Sequence, residues 1–184
     1  KTGLDLSQAK KKIQHDLQAV AGQMPWYDFD GWATHFELDL LQLQARGQAL
    51  IQCRPGSIAF LDHLNHHGIP MILATNAHPM VLAFKLDAIQ SNHPKFTAYF
   101  SDIISSHSFG VPKEARGFWQ QLTARTNLKQ ARTALIDDNP SVLAAAKAYG
   151  LAGLIAISQP NSKKPAQPVP GYQNVCFLNE LIER

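Results

Sequence analysis

Cysteine is scarce in this 184-residue chain, which holds only Cys53 and Cys176. They stand far apart, without the paired spacing of a zinc site or the density of a disulfide-stapled secreted domain, so both are expected as ordinary buried or half-buried thiols. Long apolar runs are lacking too. The longest, Leu151 to Ile157, is far shorter than the ~20 residues a spanning helix needs, and no basic-then-apolar leader opens the chain. A soluble, cytoplasmic protein with no membrane partner is the expectation. Nor is there a strong charge of one sign: 17 Lys and Arg face 14 Asp and Glu, a net +3 with neutral histidines. The lysine clusters at 10–12 and 163–164 are short and carry no interleaved aromatics, so nucleic-acid binding is not indicated.

What is present divides by periodicity. From Leu6 to about Gln44 the apolar residues recur at three- and four-residue steps, first Leu6, Ala9, Ile13, Leu17 and Val20, then Trp32, Phe36, Leu40 and Leu43. Two helices are expected there, with Ser7 capping the first and Gly47 stopping the second. The second half alternates short apolar runs with helical patterns. Runs at 71–74, 99–104, 133–136 and 151–157 are expected as strands, and helices are expected at 57–67, 81–86, 114–123 and 140–149, before a Pro- and Lys-rich loop and a last short helix near Leu178. Such alternation implies a parallel sheet with helices on both faces. Ligands of these sheets bind at the carboxyl ends of the strands, which makes the residues just after each run the ones to read.

Three of those ends are polar in a particular order. The first run delivers Thr75-Asn76, the second leads through Ser108-Phe109-Gly110-Val111-Pro112 to Lys113, and the third delivers Asp137-Asp138. A phosphoryl group in transfer carries negative charge on its equatorial oxygens, and its chemistry is mostly positioning and electrostatic stabilisation. Thr75 can donate a hydroxyl to one oxygen, helped by nearby backbone amides around Asn76, and Lys113 supplies a fixed positive charge. The adjacent Asp137 and Asp138 repel each other unless a cation lies between them, and hard oxygen ligands suit Mg²⁺. Each residue has a plainer reading: Thr75, Asn76 and Asn139 are good helix caps, and the acidic pair before Asn139-Pro140 could simply start a helix. Their joint placement at strand ends favours the chemical reading.

The same order resembles the second, third and fourth motifs of the haloacid dehalogenase-like hydrolases. Thr75-Asn76-Ala77-His78-Pro79, the stretch from His107 to Glu114, and Ile136-Asp137-Asp138 are most similar to the bacterial GMP/IMP 5′-nucleotidase branch. The resemblance implies a Rossmannoid parallel sheet flanked by helices, with a small helical cap between the first and second motifs. It divides the chain into a cap remnant at 1–50 and an α/β core at 51–184. It also implies a Mg²⁺-dependent phosphomonoester hydrolase working through an aspartyl phosphate, with Asp138 the direct metal ligand and Asp137 direct or through water. The expected substrate is a small phosphorylated metabolite, a purine nucleotide such as GMP or IMP, and the expected state is a monomer or homodimer. Alternatives are a sugar-phosphate phosphatase or mutase of the same superfamily, or a non-catalytic relative that binds phosphate or a partner.

The family's first motif, a strand ending in Asp-x-Asp-x-Thr or -Val, has no good match. Asp28-Phe29-Asp30-Gly31 follows a stretch with Pro25 and no apolar run, and Trp32 occupies the Thr or Val position. We read it as a decoy within the cap, and expect the nucleophile strand to be absent from a chain that opens on Lys1. A sheet without it would carry a slot between the strands ending at Thr75 and Ile136. Trp26, Tyr27 and Trp32 are expected as cap core rather than a stacking surface for a base. The cluster His63, His66 and His67 is expected as a solvated helix end, whereas His78 and His107, beside the phosphate motifs, are possible substrate contacts.

Overall fold

The computed structural model describes residues 3–182. Three short helices come first: α1 (Leu6–Gln18), α2 (Phe29–Phe36) and α3 (Leu40–Ala45). The cap of α1 is Asp5 rather than Ser7, in a reciprocal box with Gln8. The expected second helix is broken in two. Glu37 turns left-handed at φ 51°, and Asp39 then caps α3 by accepting from the Gln42 amide. None of these helices has a fully buried residue.

The remainder alternates α4 (Ser57–His66), β1 (Ile72–Thr75), α5 (Pro79–Gln90), β2 (Asp102–Ser105), α6 (Arg116–Thr126), β3 (Ala134–Asp137), α7 (Pro140–Tyr149), β4 (Gly153–Ile157) and β5 (Gln173–Val175). The last strand follows the Pro-rich loop, where the sequence pattern indicates none. All pairings are parallel, as helical crossovers require. Gly153 lies opposite Ala134, where a Cβ would approach the alanine methyl to 2.7 Å, so β4 begins on the one residue that fits.

The strands form two sheets rather than one, β1-β2 and β3-β4-β5. Among the described residues no ladder joins β1 to β3, so each presents an edge to the other. Helix packing bridges them. On one face Phe118, Trp119 and Leu122 of α6 and Val142 and Ala146 of α7 pack with Ile104, against Ile72 and Ala74 of the first sheet and Leu135 and Leu154 of the second. On the other, Phe60 and Leu61 of α4 pack with Met71 and Phe96, and Ile136 from the second sheet joins them. Burying an aromatic of this size stabilises by about 2–3 kcal/mol, so these two layers hold the sheets in place. Among the described residues no helix is long and apolar enough to cross a membrane. Cys53 and Cys176 are half-buried and unpaired.

Candidate active site

The gap between the sheets opens into a cavity of about 300 Å³, lined by Arg54, Ala74, Lys113, Ile136, Asp137 and Asp138 among others. Ala74 comes from β1 and Ile136 from β3, so this is the space between the facing edges. It opens at the carboxyl ends of the strands.

Lys113 is pinned from three sides. Its amide donates to the Asn76 Oδ1 at 2.9 Å, its carbonyl accepts from the Trp119 indole at 2.8 Å, and its ammonium donates to Asp137 Oδ2 at 2.6 Å. The ammonium and carboxylate side chains are 12% and 7% exposed, a pair largely withdrawn from water. Such a pair is poorly screened and positions both charges firmly. Asp137 uses its other oxygen to accept from the Asn139 amide at 2.9 Å. Asp138, beside it, is exposed and open to the cavity.

Thr75 ends β1 opposite Ser105. Its hydroxyl oxygen accepts from the Ala77 amide at 3.0 Å, which leaves its hydrogen to donate elsewhere. Ser105 donates to the Ala77 carbonyl at 2.7 Å, so both strand ends fasten the same turn. Neither Thr75 nor Asn76 caps α5, whose cap position is His78; Asn139, in contrast, does cap α7 through the Ser141 amide. The structure thus brings Asn76, Lys113 and Asp137 into direct contact, with Asp138 next to them. Thr75 adjoins Asn76 in the chain but does not line the cavity.

Sequence reasoning missed two members of the neighbourhood. Glu114 accepts from three side chains: Tyr27 at 2.5 Å, Asn76 at 2.8 Å and Asn139 at 3.0 Å. Its position directly after Lys113 was the available signal. Arg54 lies over the Phe177 ring at 5.3 Å and donates to the Gln159 carbonyl, while its buried Nη2 has no hydrogen-bond partner among the described residues. Nothing local in the sequence distinguishes it from a surface arginine.

His78 and His107 sit at the seam with the helical segment, their ring centroids 4.9 Å apart. Phe29 stacks on His78, and Asp30 lies 3.7 Å from its Nε2. Among the described residues, buried nitrogens on each ring, His78 Nδ1 and His107 Nε2, have no hydrogen-bond partner. Burial, then the neighbouring His78, pushes the His107 imidazole below its usual range. Asp28 caps α2 by accepting from the Gly31 amide at 3.0 Å, and Asp30 lies in that helix's first turn. Both therefore belong to the helical segment and not to a strand end. His63, in the last turn of α4, and His67, the cap that follows it, pack ring to ring at 4.2 Å.

A family model for haloacid dehalogenase-like hydrolases matches residues 7–150. The chain belongs to the haloacid dehalogenase-like hydrolase family. It is 32% identical over 162 residues to the GMP/IMP nucleotidase YrfG of Escherichia coli strain K12, a match that spans 88% of this chain and 71% of that protein. The same figures hold for the Shigella flexneri protein of that name. Among solved structures, a HAD phosphatase from Thermococcus onnurineus superposes with a TM-score of 0.77 at 18% identity, covering 98% of this chain and 81% of the other. The magnesium-bound HAD-hydrolase YfnB from Bacillus subtilis gives 0.65 at 17% identity, over 98% and 83%. These likenesses show a HAD fold, whose sheet here is divided by the cavity between β1 and β3.

The donor chemistry of the acidic pair fits Mg²⁺ in kind, since both groups offer hard carboxylate oxygens. Among the described residues no third His, Cys, Asp or Glu joins them in a metal-holding group.

Proposed function

We propose that this fold hydrolyses a phosphomonoester, a purine 5′-nucleotide such as GMP or IMP, at the mouth of the cavity between β1 and β3. The observation that carries the reading is the withdrawn Lys113–Asp137 pair beside the open Asp138, at strand ends of a chain 32% identical to a GMP/IMP nucleotidase. A lysine and a paired carboxylate at this spacing suit a group that is itself anionic and is recognised partly through a cation.

In this reading Lys113 faces the phosphoryl oxygens and the nucleophile, and the Thr75 hydroxyl and the amides around Asn76 donate to the same oxygens. Asp137 and Asp138 would hold Mg²⁺, which when bound neutralises phosphoryl charge and orients it for in-line displacement. The attacking group is a carboxylate on a strand that enters between β1 and β3, a position that none of the described residues occupies. Its oxygen forms a bond to phosphorus as the bond from phosphorus to the nucleoside oxygen breaks and the second carboxylate of the same Asp-x-Asp strand end gives that oxygen its proton; that carboxylate then takes a proton from the water that attacks phosphorus, which releases inorganic phosphate and frees the first carboxylate. The helical segment, residues 1–50, serves as a cap over this mouth and excludes water during the reaction. The unpartnered nitrogens of His78 and His107 lie where cap and core meet and would contact the nucleoside side of the substrate.

Phosphate release tests the reading, using a version of the chain extended by an apolar strand ending in Asp-x-Asp and supplied with Mg²⁺. Turnover of GMP and IMP well above that of hexose phosphates, abolished by Lys113→Met and by Asp138→Asn, is the expected result. Preference for hexose phosphates would move the assignment to a sugar-phosphate phosphatase, and no turnover of any phosphomonoester would leave a binding relative.

A further inference from the structure

The carboxylate of Glu114 sits where the helical segment meets both loops of the phosphate site. We propose that Glu114 is a positioning residue, a latch that couples docking of the helical segment to the placement of Lys113 and of the Asp137–Asp138 loop. The consequence for catalysis rests on the phosphatase reading above; the latch itself rests on the hydrogen bonds alone.

Its chemistry is dictated by its three donors. Asn76 has its amide orientation fixed, because its oxygen already accepts the Lys113 N–H. Its nitrogen must therefore donate, and it donates to Glu114 Oε2 at 2.8 Å. Asn139 is fixed in the same way, since its oxygen accepts the Ser141 amide, and its nitrogen donates to Oε1 at 3.0 Å. The Tyr27 hydroxyl donates to that same oxygen at 2.5 Å. All three groups that hydrogen-bond Glu114 are thus donors, and only a side chain with two acceptor oxygens satisfies them all. A glutamine would place its own N–H₂ against Asn76 or against Asn139 and Tyr27. Either arrangement leaves donors facing each other in a partly buried site, the costly case for a polar group.

The three donors also belong to different parts of the molecule. Tyr27 lies in the turn of 3₁₀ helix before α2, Asn76 follows β1 and holds the Lys113 backbone, and Asn139 opens α7 just after the acidic pair. One carboxylate therefore senses whether the helical segment is seated and holds the cation-bearing and anion-bearing loops in register. The Tyr27 phenol registers the contact: burial, then the bond to Glu114, raises its pKa well above the usual tyrosine range.

Hydrogen–deuterium exchange on the full 184-residue chain tests the latch, with α6 and α7 as internal standards. Glu114→Gln should speed exchange by about tenfold, the scale of one lost charge-assisted hydrogen bond, both across residues 24–36 and at the Lys113 amide. Tyr27→Phe should speed only residues 24–36, because Asn76 keeps its acceptor. In parallel, ultraviolet titration should show the Tyr27 phenol, identified by its loss in Tyr27→Phe, ionising at lower pH in Glu114→Gln. Unchanged exchange in Glu114→Gln, a change in only one of the two segments, or an equal rise throughout α6 and α7 would each overturn the coupling. None of these readings needs substrate, metal or turnover, so a chain that hydrolyses nothing can still possess the latch, and an active enzyme can lack it.

Discussion

The two halves of this molecule are held by different means. The α/β region buries its apolar side chains outright: Phe118, Leu143 and Ala146 are 0% exposed and Trp119 is 2% exposed. The helical segment up to α3 buries none, and leaves Leu6 73%, Leu41 47% and Leu43 47% exposed. Its hold on the core is polar and aromatic, through Tyr27 to Glu114, Phe29 over His78, and Asp30 near the same imidazole. An amphipathic stripe suffices to make a helix but not to anchor it. Where a stripe finds no partner surface, position is set by a few directional contacts, and those contacts fall on the residues of the candidate site.

The sharpest way to break this contrast is in the α6 layer. Phe118→Ala removes a fully buried ring between the two sheets and should cost roughly 3–5 kcal/mol in denaturant unfolding; a loss below ~1 kcal/mol would mean that the bridging layer is not what joins the sheets. Next comes the withdrawn ion pair. Asp137→Ala leaves the Lys113 ammonium without its partner and should cost about 3 kcal/mol in the same measurement, while Ile13→Ala on α1 should cost under ~1 kcal/mol.

Acid should act chiefly through the seam. His107 is depressed in the folded chain by burial and by His78, so the folded state takes up its proton less readily than the unfolded one. The stability this represents is fully present above the unfolded imidazole value of about 6.5 and is lost as pH falls through the lower folded value. Thermal melts should therefore fall between neutral and mildly acidic pH, and His107→Gln should reduce that drop. Smallest is Lys12→Ala, which removes one side of an exposed i,i+4 pair with Asp16 and should leave the melting temperature almost unmoved.

The strands and helices of the second half were legible because each local signal agreed with the tertiary result: Pro140 and Asn139 start α7, Gly150 at φ 105° ends it, and Ile72 to Thr75 reads as a strand in either context. The left-handed Glu37 was not legible, because the apolar spacing of Phe36, Leu40 and Leu43 is that of an unbroken helix and the break is made by Asp39 competing as a cap. The strand Gln173–Val175 was hidden for another reason. Three residues in a polar context carry little pattern, and it is pairing with Ile155 to Ile157 that makes them extended. Within the site, Lys113 and Asp137 could be expected to approach from their strand-end positions. Arg54 could not, and Glu114 only through its place directly after Lys113, since their contacts come from what Tyr27, Asn76 and Phe177 bring to them across the fold.

Under the proposed function, Lys113, Asp137 and Asp138 form part of a phosphate and metal site beside a gap that a carboxylate-bearing strand would complete. Calorimetric titration with Mg²⁺ tests it most directly, on the 184-residue chain and on a version extended by an apolar strand ending in Asp-x-Asp. Because Mg²⁺ demands near-octahedral oxygen coordination and gives up water reluctantly, and because Asp137 is already engaged by Lys113 and by the Asn139 amide, the chain as it stands should show no saturable heat. The extended version should bind, and lose binding with Asp138→Asn. Tight Mg²⁺ binding by the 184-residue chain itself, abolished by Asp28→Asn, would contradict the proposed function and move the nucleophile to the helical segment.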